Sequence, residues 1–242
     1  MKSLYVCVVA LMVLGLKASE QSLTNFVGFE LGASADTIFE NDKIVKDGRV
    51  RKLEPAEDTI WDGNDGALVV RGLRLKTPFR NFSTVDVYVT PKSKKIFKIC
   101  LEAGYVVDGL VLAADPSKVN SLATAYKEFK SMADGVVPAL EKKYNVTPDR
   151  SFKEHEISSP FKIGDVIFSH STAKEKAISF NFKDSQMFFI ERQVPLSNLN
   201  LNQREPKIGL GYRLYLYGYK LCSLYHDEVR ESDKAKEDGD IL

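Results

Sequence analysis

Val85-Asp86-Val87-Tyr88-Val89-Thr90-Pro91-Lys92-Ser93-Lys94-Lys95-Ile96-Phe97-Lys98-Ile99-Cys100-Leu101 decides the fold class of this chain. Val85, Val87 and Val89 alternate with Asp86, Tyr88 and Thr90, the period of a strand with one buried face. Pro91 to Lys95 is turn chemistry kept in water by its lysines, and Ile96 resumes the extended pattern. The stretch predicts a β-hairpin. Phe97, Ile99 and Leu101 are expected on the valine side, with Lys98 directed toward water or a partner, so one sheet face is expected to be exposed.

Beyond the hairpin the period changes. Asp115-Pro116 reads as an N-cap followed by proline at the first helical position. Val119, Leu122, Tyr126, Phe129, Ala133, Val136, Leu140 and Tyr144 then recur at helical spacing, a single apolar stripe for packing on a sheet. Gly135 and Pro138 are expected to kink or break this long helix, because proline lacks the amide that the ladder needs, and Asn145 is its expected end. Strand patterns return over Ile163 to Ser169, Ala177 to Phe182, Met187 to Arg192 and Tyr212 to Tyr219. From Lys220 the spacing of Leu221, Tyr225 and Val229 is helical again, and the charged end is expected to fray.

On the other side of the hairpin, Phe26 to Gly32 reads as a strand, and Asn41 to Gly66 as a long loop with short strand pieces anchored by Trp61. The expectation is therefore an α+β fold: antiparallel sheet in hairpins and meanders, packed against one long helix with a kink, and closed by a charged C-terminal helix. Residues 19–231 form the α+β region, either whole or as two sub-units of about 19–145 and 146–231, and 232–242 is a charged tail.

Residues 1–18 read as a cleavable signal peptide. Lys2 supplies the positive start, Leu4 to Leu16 an uncharged apolar run, and Ala18 the small residue before a cut at Ser19. The run is shorter than the ~20 residues a spanning helix needs, so the mature protein is expected to have no membrane span and to be periplasmic or secreted. Cleavage removes Lys2 and Lys17 from a total of 34 basic against 33 acidic residues, which leaves the mature chain near neutrality. A balanced charge argues against a nucleic-acid footprint. Of the 3 cysteines, only Cys100 and Cys222 survive cleavage, as a disulfide or as two buried thiols. A bridge closing so long a loop is worth ~4 kcal/mol in the chain-entropy model, provided the Cα atoms come within about 7 Å.

The segment KTPFRNFSTVDVYVTPKSKKIFKI, with FVGFELG before it and a helix ending in LEKKYN after it, resembles a module of exported Gram-negative proteins of unknown function. The closing strand and charged helix resemble them too. The likeness rests on turn residues, sheet alternation and helix ends, implies a bacterial periplasmic protein, and carries no functional residue with it.

Motifs for chemistry are sparse. His155, His170 and His226 lack the spacing of a metal site, and His170 among Ser169 and Ser171 has no glycine-flanked elbow for a serine nucleophile. Lys153-Glu154-His155-Glu156 reads as a solvated strand. Asp58, Asp62, Asn64 and Asp65 lack the alternate ligands and closing Glu of an EF-hand. Gly28 and Gly32, or Gly209 and Gly211, lack the strand-to-helix context of a phosphate loop and read as sheet or turn glycines. No catalytic, metal or cofactor set is predicted.

Tyr215, Tyr217 and Tyr219, on one face of a strand, are the candidate binding face, to be weighed against core packing beneath a helix. The resulting expectation is a binding or interaction module without a cofactor, facing an unknown protein or envelope component. Two other classes compete with it: a periplasmic hydrolase whose carboxylate acid and base are assembled by the fold, and a structural or assembly protein that recruits through a strand edge or the terminal helix.

Overall fold

The computed structural model describes residues 20–49, 51–56, 66–108, 118–158, 160–163, 166–169, 171–194 and 207–239. Residues 1–18, read above as a signal peptide, Trp61, residues 58–65, the helix start expected at Asp115-Pro116 and His170 lie outside the described residues.

A short N-terminal hairpin, β1 (Asn25–Phe26) and β2 (Phe29–Glu30), leads to a helical turn, α1 (Thr37–Glu40), and then to β3 (Glu54–Pro55), β4 (Leu68–Phe79), β5 (Phe82–Val89) and β6 (Ile96–Asp108). Two helices follow, α2 (Lys118–Asp134) and α3 (Val136–Tyr144). The second half contributes β7 (His155–Ser158), β8 (Phe161–Ile163), β9 (Val166–Phe168), β10 (Thr172–Asn181), β11 (Ser185–Val194), β12 (Lys207–Gly218) and α4 (Tyr219–Gly239).

One eight-stranded sheet, in the order β3-β4-β5-β6-β12-β11-β10-β7, runs through both halves. All its pairings are antiparallel, and the halves join where β6 pairs with β12 from Lys207↔Asp108 to Tyr217↔Lys98. Both edges are partly occupied by irregular chain. Beside β4, Val45 N donates to Arg74 O at 2.8 Å and Lys76 N to Lys43 O at 2.8 Å; beside β10, Asp149 exchanges both backbone bonds with Ser179 at 2.7 and 3.0 Å. Such cover blunts edge-to-edge pairing.

The first face carries one continuous core. Val85, Val87, Ile99, Leu101, Leu214, Leu216, Phe189, Met187, Ile178 and Phe180 meet Phe26, Phe29 and Ile38 of the N-terminal segment and Val136, Val137 and Leu140 of α3. The expected single helix is two. Gly135 ends one and begins the other, and Pro138 falls in the first turn of α3, where its missing amide costs no intrahelical bond. Asn145 ends α3 in the left-handed conformation (φ 50, ψ 42), the predicted end. The stripe is buried unevenly: Ala133, Val136, Leu140 and Tyr144 are buried, whereas Leu122, Tyr126 and Phe129 of α2 are half-buried.

The strand expected over Phe26 to Gly32 is a tight hairpin instead. Val27 and Gly28 both have positive φ (48 and 90), the geometry of a type I′ turn. A Cβ at Gly28 would lie 3.0 Å from the Asn41 side chain, so this corner admits only glycine without rearrangement.

The second face is covered rather than open. α4 lies over one end, where Phe97, Tyr88, Cys100, Tyr215 and Tyr225 form a separate cluster with Leu221, Cys222 and Val229 packed against it. Phe97 belongs to this side because the β5–β6 register shifts between Tyr88↔Lys98 and Val89↔Ile96, a bulge that turns Phe97 away from Ile99 and Leu101. Its ring stacks on Tyr225 of α4 at 4.6 Å and 5°. Glu228 of α4, 6% exposed, reaches the β5–β6 turn and accepts bonds from Lys92 N at 2.7 Å and Ser93 N at 3.1 Å. The other end is covered by the β8–β9 hairpin, whose Phe161, Ile163 and Phe168 pack with Ala173 and Val194. Gly209 and Gly211 make room for it: a Cβ on Gly211 would stand 2.8 Å from Ile163, and one on Gly209 3.0 Å from Phe168. They are sheet glycines, as expected, and the hairpin is why the strand needs them.

Candidate functional site

Between the two covers of the second face lies a row of side chains set by β-sheet alternation. On β12 the residues pointing this way are Gly209, Gly211, Arg213, Tyr215 and Tyr217, and cross-strand register places Arg192, Ile190, Phe188 and Gln186 of β11 beside Gly211, Arg213, Tyr215 and Tyr217.

The three tyrosines predicted as a face have different surroundings. Tyr215 is buried, with the Lys98 ammonium 4.3 Å from its ring centre and Arg213 Nη1 donating to its hydroxyl at 3.2 Å. Lys98 itself is 8% exposed and lies 4.8 Å from the Tyr88 ring, so it does not point to water as expected. Two aromatic faces offset part of the cost of burying its charge. Tyr217 is half-buried; its hydroxyl donates to Gln186 Oε1 at 2.7 Å, and Gln186 Nε2 donates to Asn181 Oδ1 at 2.6 Å. Tyr219 is the first residue of α4 rather than the last of the strand, and its ring meets Tyr217 edge-on at 6.4 Å.

The strand pairing brings two further rings to Tyr217. Phe188 lies nearly parallel to it at 5.8 Å and 13°, and Phe152 meets Phe188 edge-on at 5.8 Å. Phe152, Phe188, Tyr217 and Tyr219 are all half-buried and form a strip along the sheet beside α4. Phe188 was legible in the alternation of β11, where Gln186, Phe188 and Ile190 share a face. Phe152 left no periodic signal, because it is carried here by the Asp149 bridge to Ser179.

Above the strip are charges. Glu102 accepts from Arg213 Nε and Nη2 at 3.0 Å each, and burial raises its carboxyl pKa against the opposing pull of Arg213. Glu175 binds Arg192 and stands 3.7 Å from the exposed His155. The gap between Glu102, Lys162, Ile163, Arg192 and Arg213 has a volume of about 10 Å³, room for a water rather than a substrate. His226 is half-buried against Tyr225, and burial lowers its pKa. Among the described residues no group of His, Cys, Asp and Glu is arranged to hold a metal, and no helix is long and apolar enough to cross a membrane. Cys100 and Cys222 both belong to the α4 side of the sheet, the first inside the cluster and the second packed against it, and both are thiols.

Comparison of the chain with family models, with curated proteins and with solved structures finds no match to any of them.

Proposed function

We propose that this chain is an exported, non-catalytic binding module of the bacterial envelope, and that the aromatic strip is where it meets a protein partner. The observation that carries this reading is the strip itself. Four half-buried aromatic rings lie together beside the cluster under α4, with Phe188 packed against that cluster and Tyr219 supplied by α4 itself, and aromatic side chains are enriched at protein interfaces. Residues 1–18 and the resemblance to exported Gram-negative proteins support the location.

A benzophenone amino acid at position 217, activated by light in producing cells, should crosslink to one protein, while the same probe at the exposed Lys142 of α3 should not. The crosslink should disappear when Phe152 and Phe188 are both changed to serine. No crosslink, or equal capture from 142, overturns the reading. Export is tested separately by the intact mass of protein recovered from the envelope, which should begin at Ser19. Cys100 and Cys222 lie on the same side of the sheet as thiols, and a bridge between them in an oxidising compartment would be ruled out by full labelling of both under denaturing, non-reducing conditions.

A further inference from the structure

The sheet ends differently at its two edges. At one end β3 is two residues long and contains Pro55, and irregular chain runs beside β4. At the other end β7 pairs with β10 from Ser158↔Thr172 to His155↔Glu175, and nothing among the described residues pairs with its outer edge. The strand is anchored: Ile157 is half-buried against the cluster of Phe161, Ala173 and Val194 at the β8–β9 hairpin. Its outward amides and carbonyls are therefore a ready template for one more strand.

The side chains say which strand. At this corner of the first face the sign of charge alternates from strand to strand. Lys176 of β10 stands directly across from Glu191 of β11, and Lys174 across from Glu156 of β7. Glu154 shares this face and reaches Lys174 at 3.2 Å, which leaves the exposed Glu156 without an ion pair among the described residues. α2 closes the inner side, where Lys130 lies 3.3 Å from Glu191 and Gln193 donates to the Tyr126 hydroxyl at 2.8 Å. The corner itself is an open groove of about 230 Å³ rather than a packed layer, so long side chains alongside β7 have room.

A second copy of the chain is the wrong occupant. Strands that pair antiparallel across a twofold axis keep each face of the sheet continuous, so two copies would gather Glu154 and Glu156 with their own counterparts, acid beside acid. Like charges on neighbouring strands are destabilising, whereas a basic strand continues the alternation.

We propose that the outer edge of β7 receives an extended segment of another protein whose alternate residues are lysine or arginine, set beside Glu154 and Glu156 on the first face. Main-chain bonds along the edge supply affinity, and the two glutamates select the sequence. Binding at this edge needs nothing from the aromatic strip.

Fluorescence anisotropy of a labelled peptide of about ten residues, lysine alternating with threonine, titrated with the whole chain at constant ionic strength, tests this. Saturable binding is expected, weakened at least about tenfold when Glu154→Lys and Glu156→Lys are combined. Both positions are exposed, so the double variant should keep the parent's circular dichroism spectrum and melting temperature. A peptide of the same composition with its lysines in one block should bind at least about tenfold more weakly. N-methylation of alternate amides separates strand pairing from charge attraction: methyls on the set that faces β7 should abolish binding, and methyls on the other set should leave it. No saturable binding at about 1 mM, equal binding of the block peptide, or binding that survives methylation of either set overturns the proposal, and so does a dimer of the chain that the peptide disperses.

Discussion

The two faces of the sheet are built by different means. The first holds one continuous cluster in which valine, isoleucine, leucine and phenylalanine from seven elements or more are close to interchangeable in kind, and what matters is volume and fit. The second holds two separate clusters under separate covers, each depending on singular features: a glycine pair beneath the β8–β9 hairpin, and a carboxylate and a stacked ring pair beneath α4. Stability is therefore expected to be concentrated on the first face, leaving the second free to carry charges and the aromatic strip.

The largest effect that would break this contrast is truncation on either side of the sheet. Phe180→Ala, fully buried on the first face, should cost about 3–5 kcal/mol in denaturant unfolding, whereas Phe188→Ala on the half-buried strip should cost no more than about 1–2 kcal/mol. Equal losses would mean that the strip is structural core.

Gly211→Ala tests the hairpin cover next. Its new Cβ collides with Ile163, and the overpacking should cost about 1–3 kcal/mol, with faster amide exchange in β8 and β9 than elsewhere. Ile163→Ala should cost less in the Gly211→Ala background than in the parent if the contact is the cause.

Glu228 sharpens the contrast through pH. Burial raises its pKa, but the bonds from Ser93 and Lys92 and the Lys92 charge outweigh it and leave the carboxyl lowered. A group lowered on folding stabilises the native state above its unfolded pKa of about 4.3, and that contribution is lost as pH falls through the folded value. Glu228→Gln should therefore cost ~1–2 kcal/mol at neutral pH and converge with the parent in acid, measured by unfolding at a series of pH values. A constant difference at all pH values would show that the carboxylate charge is not what holds α4 to the turn. The smallest change is expected from Lys127→Ala on the exposed side of α2, within about 0.5 kcal/mol.

Local patterns carried much of this architecture. The hairpin of β5 and β6, the alternation of β10 to β12, the break at Gly135 and the end at Asn145 were legible because each depends on residues a few positions apart. β4 was not, since Gly72 and the register shifts along it interrupt its period. Phe97 was assigned to the wrong face for the same reason: one extra residue in a strand reverses every side chain beyond it.

The candidate site shows the same limit. Sequence alternation placed Tyr215 and Tyr217 on one face, but could not say that α4 and Lys98 bury the first while the second stays at the surface beside Phe188 and Phe152. By itself the sequence determined those elements whose period runs unbroken, with their polar and apolar sides, and the residues available for chemistry, because helix and strand periods are properties of neighbouring residues. Only the tertiary structure decided which of them meet: Arg213 with Glu102, Glu228 with the Lys92 turn, Gln193 with Tyr126. Those contacts follow from β6 lying beside β12 and from helices crossing distant strands, and the free energy that selects such an arrangement is that of the whole core rather than of any one segment.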